Sequence, residues 1–166
     1  MRYVIRERLF RLGEDSDITD ADGRPVYHVD GKVWTLRNTV IMRDRSGAEV
    51  AKVERQLIAL RPTYQITRQG EELAEVRKRI FSPLVDRFTI DIPGPEDLGV
   101  TGSLLEHEYT ITRAGQVVAT VSKSWLSLTD TYGVDIAPGE DDVLILASVL
   151  ALDLAEDRER QERAAG

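Results

Sequence analysis

The chain contains no cysteine. Disulfides, thiolate metal ligands and cysteine nucleophiles are excluded together, and palmitoylation has no acceptor. Such a chain suits a reducing compartment, so the expected location is cytoplasmic, with peripheral contact at a membrane as its nearest approach to lipid. Long apolar runs are also lacking. The longest is Val143–Leu152, VLILASVLAL, about half of the roughly 20 residues that a membrane-spanning helix needs. The opening MRYVIRERLFRLGED breaks its apolar residues with Arg2, Arg6, Arg8 and Arg11, so it has no secretory apolar core and reads as a first strand. Low-complexity segments are missing as well, which argues against a disordered chain.

A strong positive charge is absent too. The formal net charge is -7, and residues 140–166 supply -5 of it through eight carboxylates and three arginines. A nearly neutral body with an acidic end lacks the footprint of a nucleic-acid binder. Length and composition, 166 residues with 42% hydrophobic, suit one domain with its own core.

What is present is a run of hairpin signals. DADG (20–23), DRSG (44–47), RQGE (68–71) and RAGQ (113–116) each stand between segments of alternating apolar residues, as in VIMRD and EVAKVER. Alternation places the apolar side chains on one face of a strand. The hairpin spacing predicts about ten to twelve strands before residue 140.

The apolar run 143–152 is then the key element. It is apolar on every side except at Ser148, which marks a buried helix. Pro138-Gly139 and the carboxylates Glu140, Asp141 and Asp142 mark its start and complement the helix dipole. Two packed sheets have no use for such a helix, whereas a wide barrel can enclose one. Strands of about six residues tilted by ~40° give a barrel about 15 Å tall, matching ten helical residues at about 1.5 Å each. Small residues Ala147, Ser148 and Ala151 allow strands to approach it. The expected organisation is a barrel over 1–154 including a helix at about 141–154, with 155–166 as a charged tail that frays in water.

The segments PTYQI (62–66), HEYTI (107–111) and SKSWLSLTDTYGVDIAPGEDDVLILASVLALD (122–153) resemble the LURP-one-related family. That family is grouped with the Tubby C-terminal-like and phospholipid-scramblase-like proteins. The resemblance covers nearly the whole chain and implies a mainly β fold, a twelve-stranded antiparallel barrel around a hydrophobic C-terminal helix. It implies no defined reaction. The reading is a non-enzymatic domain that binds phosphoinositide or another phosphorylated ligand, or a protein partner. Its rivals are scramblase-like activity and a small-molecule enzyme with a barrel-end pocket.

Candidate chemistry is sparse. Asp15, Asp17, Asp20 and Asp22 before Gly23 suggest a calcium loop, but Ile18 and Val29 would occupy its first and twelfth places, so a polar turn is the better reading. The segment DRFTIDIPGPEDLGV (86–100) is similar to the scramblase stretch proposed to bind calcium. The resemblance implies Asp86, Asp91, Glu96 and Asp97 as metal ligands, yet Arg87, Thr89 and Gly99 stand where that stretch has acidic residues. This leaves fewer oxygens than the six to eight that calcium takes, and no metal or other cofactor is expected. G-x-S-x-G, H-E-x-x-H and phosphate-loop motifs are missing. His28 and His107 lie in alternating segments, where hydrogen-bonding roles are expected.

Basic pairs remain. In EVRKRI, Arg77 and Arg79 share one strand face and Lys78 the other, so the two arginines are candidates to grip a phosphate. The competing expectation pairs them with Glu71, Glu72 or Glu75. Arg43 and Arg45 show the same spacing around a turn. Trp34, Trp125 and Tyr132 are assigned to the barrel wall and rim, with Leu126 and Leu128 facing the helix.

Overall fold

The computed structural model describes residues 1–7, 15–31, 38–57, 61–78, 88–94, 96–125 and 130–166. Twelve strands precede one helix: β1 Arg2–Arg6, β2 Ser16–Asp20, β3 Pro25–Asp30, β4 Thr39–Asp44, β5 Glu49–Arg55, β6 Thr63–Arg68, β7 Glu71–Lys78, β8 Phe88–Asp91, β9 Leu98–Ser103, β10 Glu108–Arg113, β11 Gln116–Ser122, β12 Thr131–Ile136, and α1 Asp142–Ala165. Each strand pairs antiparallel with its sequence neighbour, and β12 closes on β1 with Val4 opposite Gly133. All four Gly-containing turn signals join consecutive strands, as the alternation requires.

Period-two patterning decides which side chains enter the barrel. Val40 and Met42 of β4, Val53 of β5, Ile66 of β6 and Val76 of β7 are buried, while the residues between them face outward. The filling is α1, whose residues Ile145 to Leu152 are essentially inaccessible. Each such Leu, Ile or Val contributes roughly 1.5–3 kcal/mol by leaving water. The helix lies nearest β5, β6 and β7, where Ala51 and Ala74 leave room for its backbone. Ser148 satisfies its own hydroxyl, donating to the Leu144 carbonyl at 2.8 Å.

Both ends of the buried stretch are tied to the wall. At the start, Asp141 caps the helix by accepting from the Leu144 amide at 3.1 Å. Arg68 of β6 donates to both Asp141 oxygens at 3.0 and 3.1 Å, and Arg113 of β10 to both Glu140 oxygens at 2.7 and 2.9 Å. The Tyr3 hydroxyl donates to Asp142, and burial together with that carboxylate pushes the phenol pKa well up.

The helix does not stop near residue 154. It runs on to Ala165, so the expected fraying tail is instead a continuation of the rod. Lys78 at the end of β7 pairs with Glu159, and Arg160 donates to the Leu105 carbonyl. Pairs one turn apart, Glu156–Arg160, Glu159–Arg163 and Arg158–Glu162, add a few tenths of a kcal/mol each. Alternating charge had suggested solvation; here it is organised along the helix.

Trp125 covers a seam as expected. Its ring lies over Gly133 of β12, and the Arg2 guanidinium stacks on it at 4.5 Å. Tyr132 is a wall residue that points fully inward, not a rim residue. Trp34, Leu126 and Leu128 lie outside the described residues.

Candidate functional site

Two neighbouring hairpins build a groove of mixed charge on the outside of the barrel. The β2–β3 and β4–β5 turns share one device. Asp20 Oδ1 accepts the Asp22 and Arg24 amides, both at 2.9 Å. Asp44 Oδ1 accepts the Ser46 amide at 2.9 Å, its hydroxyl at 2.6 Å and the Ala48 amide at 3.1 Å. The early acidic cluster is thus turn chemistry at Asp20. In the second turn the Ser46 hydroxyl and the backbone donors hold the Asp44 carboxyl below its usual range. That carboxylate is committed to the turn rather than to the flanking arginines.

Arg43 and Arg45 stand on either side of Asp44. Arg43 donates to the Gly47 carbonyl at 3.3 Å, and among the described residues neither guanidinium forms an ion pair with a carboxylate. Cross-strand pairing puts His28 of β3 opposite Arg43, and Asp17 of β2 opposite His28. His28 Nδ1 is 3.0 Å from Asp17 Oδ1 and Nε2 is 3.4 Å from Asp15 Oδ2. The hydrogen bond to Asp17 raises the imidazole pKa, with burial working against it. Asp17, His28, Arg43 and Arg45 line an open depression of about 350 Å³ together with Val26 and Tyr27. Chemically this is a concave surface with two forked donors and an ionisable imidazole beside them, suited to an anion with several oxygens.

The other basic candidate is neutralised. Arg77 faces outward on β7, where its Nε donates to Glu75 Oε2 at 2.8 Å and lies 3.5 Å from Asp91 Oδ2. Glu75 and Asp91 are register partners across β7 and β8, so two carboxylates already hold one guanidinium. Arg79 falls outside the described residues, and Lys78 turns inward to Glu159.

Of the four possible calcium ligands, Asp86 also falls outside the described residues. Asp91 is turned to Arg77, Asp97 Oδ1 accepts the Ile92 amide at 3.1 Å within its own turn, and Glu96 is exposed. Among the described residues, no three His, Asp or Glu side chains converge as a metal set.

The interior holds a polar cluster that sequence reasoning missed. His107 Nε2 lies 2.9 Å from Asp153 Oδ1, and the Tyr132 hydroxyl donates to the other oxygen of the same carboxylate. The His107 and Tyr132 rings stack at 4.2 Å. Glu7 approaches His107 Nδ1 at 3.5 Å and accepts from Lys123 at 2.6 Å. Burial and the Asp153 charge push the Tyr109 and Tyr132 phenols far up. Each Asp153 oxygen takes one donor from the wall, so the cluster pins α1 to β12 and to the turn before β10. Alternation had put His107 in a strand. It sits in a turn with φ of 51°, which swings the ring inward while Glu108 leads outward to Ser122 and Lys123.

Comparison with known proteins agrees with the barrel fold. The sequence profile described as LURP-one-related matches residues 1–153. The Bacillus subtilis (strain 168) protein YxjI, itself described as uncharacterised, is 30% identical over 155 residues, covering 93% of each chain. An X-ray structure of an Arabidopsis thaliana protein superposes with a TM-score of 0.68 at 19% identity, covering 93% of this chain and 91% of that one. At that identity the likeness is one of fold. Among the described residues, no helix is long and apolar enough to cross a membrane.

Proposed function

The chain belongs to the LURP-one-related family, and from that premise we propose that it is a non-enzymatic binding module for phosphorylated groups, carried on the outer face of its barrel. The observation that carries this reading is the hairpin groove, where Arg43 and Arg45 flank a depression without carboxylate partners among the described residues. Among the described residues, α1 fills the interior between Leu144 and Ala155. Guanidinium forks match phosphate oxygens in geometry and charge. Arg77 is a weaker candidate, since a ligand there must displace Glu75 and Asp91.

The net charge of -7 shapes the mode of binding. An acidic protein gains nothing from general attraction to an anionic surface, so recognition must come from a local site. Binding should then prefer multiply phosphorylated headgroups over phosphatidylserine at equal surface charge. Co-sedimentation with liposomes containing phosphatidylinositol bisphosphate or phosphatidylserine, at near-physiological salt, tests this. Titration with free inositol hexakisphosphate separates headgroup chemistry from the lipid surface. Replacing Arg43 and Arg45 together with glutamine should weaken binding at least about tenfold, as expected for two charge-assisted contacts. Arg77→Gln should leave it unchanged. Absence of binding to every phosphorylated ligand, or binding untouched by the double substitution, would contradict the reading.

A further inference from the structure

His28 is placed as a control element beside the groove. Its two ring nitrogens face two different carboxylates, Asp17 at 3.0 Å and Asp15 at 3.4 Å. A neutral imidazole carries one N–H and can satisfy one such acceptor; both are satisfied only by the imidazolium, with a proton on each nitrogen. The same side chain is the cross-strand neighbour of Arg43, within reach of the charge any ligand brings to that arginine.

We infer that His28 gates the groove, making capture of a polyanion on Arg43 and Arg45 conditional on protonation of the imidazole. This rests on the reading of the groove as a phosphate site. With His28 charged, each ring N–H is held by one carboxylate and one of the two negative charges of Asp15 and Asp17 is offset, so less repulsion faces a ligand on the two guanidiniums. With His28 neutral, two uncompensated carboxylates stand beside the arginines, repelling an anion and competing for Arg43. The sign is fixed: binding is tighter at low pH and weakens as pH rises through the titration of His28.

The other charged groups around this point do not supply an equivalent switch. From β2 and the residues before it come Asp17 and Asp15; β3 adds Asp30, two residues along. From β4 and its turn come Arg43, Asp44 and Arg45, and Glu49 of β5 stands opposite Arg43. The Asp44 carboxylate is bound into its turn by three donors. Of these residue types, only histidine ordinarily changes charge between about pH 5 and pH 8. The raised pKa of His28, caused first by its bond to Asp17, moves the change towards neutral pH.

The test needs a ligand whose own charge is constant. Inositol hexakissulfate serves, because sulfate esters stay fully ionised where phosphate esters titrate. Calorimetric titration of the whole chain at about pH 5.5 and about pH 8.5 should show about three- to tenfold weaker binding at the higher value, the effect of one positive charge lost near a multivalent anion. His28→Gln should bind weakly and equally at both pH values. His28→Lys, a permanent cation, should hold the tighter affinity at both, and thermal melts of each variant check that the barrel is intact. Wild-type affinity that is independent of pH, or a pH dependence kept by His28→Gln, would overturn the gate while leaving the phosphate site standing. A pH effect kept when Arg43 and Arg45 are both glutamine would place the responsive site elsewhere. Absence of binding by the wild type at either pH overturns the gate and the phosphate reading together, and inositol hexakisphosphate bound where the sulfate is not would confine the failure to the gate.

Discussion

Gly102 and Gly133 are both confined, but by neighbours of different stiffness. A Cβ on Gly102 would lie 2.5 Å from the Glu108 carbonyl oxygen, and the residue holds φ of 126°. Neither the backbone opposite nor the dihedral can yield, so Gly102→Ala should cost more than about 2 kcal/mol. A Cβ on Gly133 would meet Trp125 Cε3 at 2.8 Å, and the ring is only half-buried. It can tilt away at the expense of its stacking with Arg2. Gly133→Ala should therefore cost about 1 kcal/mol, and combining it with Trp125→Leu should recover part of the loss. Urea midpoints at constant m-value give the order; equal costs, or no coupling to Trp125, would contradict the contact geometry.

At the scale of the element, α1 is an apolar rod with a polar clasp at each end of its buried stretch. Leu150 is fully inaccessible, so Leu150→Asp should cost several kcal/mol by burying an unpaired charge. A chain ending at Glu140 should lose cooperative unfolding altogether; a truncated chain that melts like the full one would disprove the plug. How far the elements were legible follows from the range of the interactions that set them. The hairpins were readable because their Gly-containing turns act over four residues, and α1 because a ten-residue run apolar but for Ser148 fits an enclosed helix. The tail beyond Leu154 was not, since its order depends on Lys78 and on the Leu105 carbonyl, both distant in sequence. The same reason hid the His107–Asp153 bond, which spans 46 residues and depends on a left-handed turn at a non-glycine residue. Arg77 could be read as a phosphate ligand or as a partner of Glu75, and only the register of β7 with β8 adds Asp91 to the balance.

For the whole molecule, closure of the sheet and filling by the helix go together. Among the described residues, the barrel closed by β1 on β12 leaves no free sheet edge, and its own C-terminal helix takes the space where other barrels hold a ligand. On the outer surface, turn geometry decides which carboxylates are committed. The Asp44 turn consumes a carboxylate and leaves two arginines, whereas the β7–β8 pairing consumes Arg77 with two carboxylates. The most direct test is a map of backbone amide shifts as inositol hexakisphosphate is titrated into the labelled protein. The account predicts saturable shifts at Val26 to His28 and Arg43 to Gly47, with Leu144 to Asp153 of the helix and Glu75 to Arg77 of β7 unmoved. Shifts centred on the helix or on β7, or none at all, would contradict it.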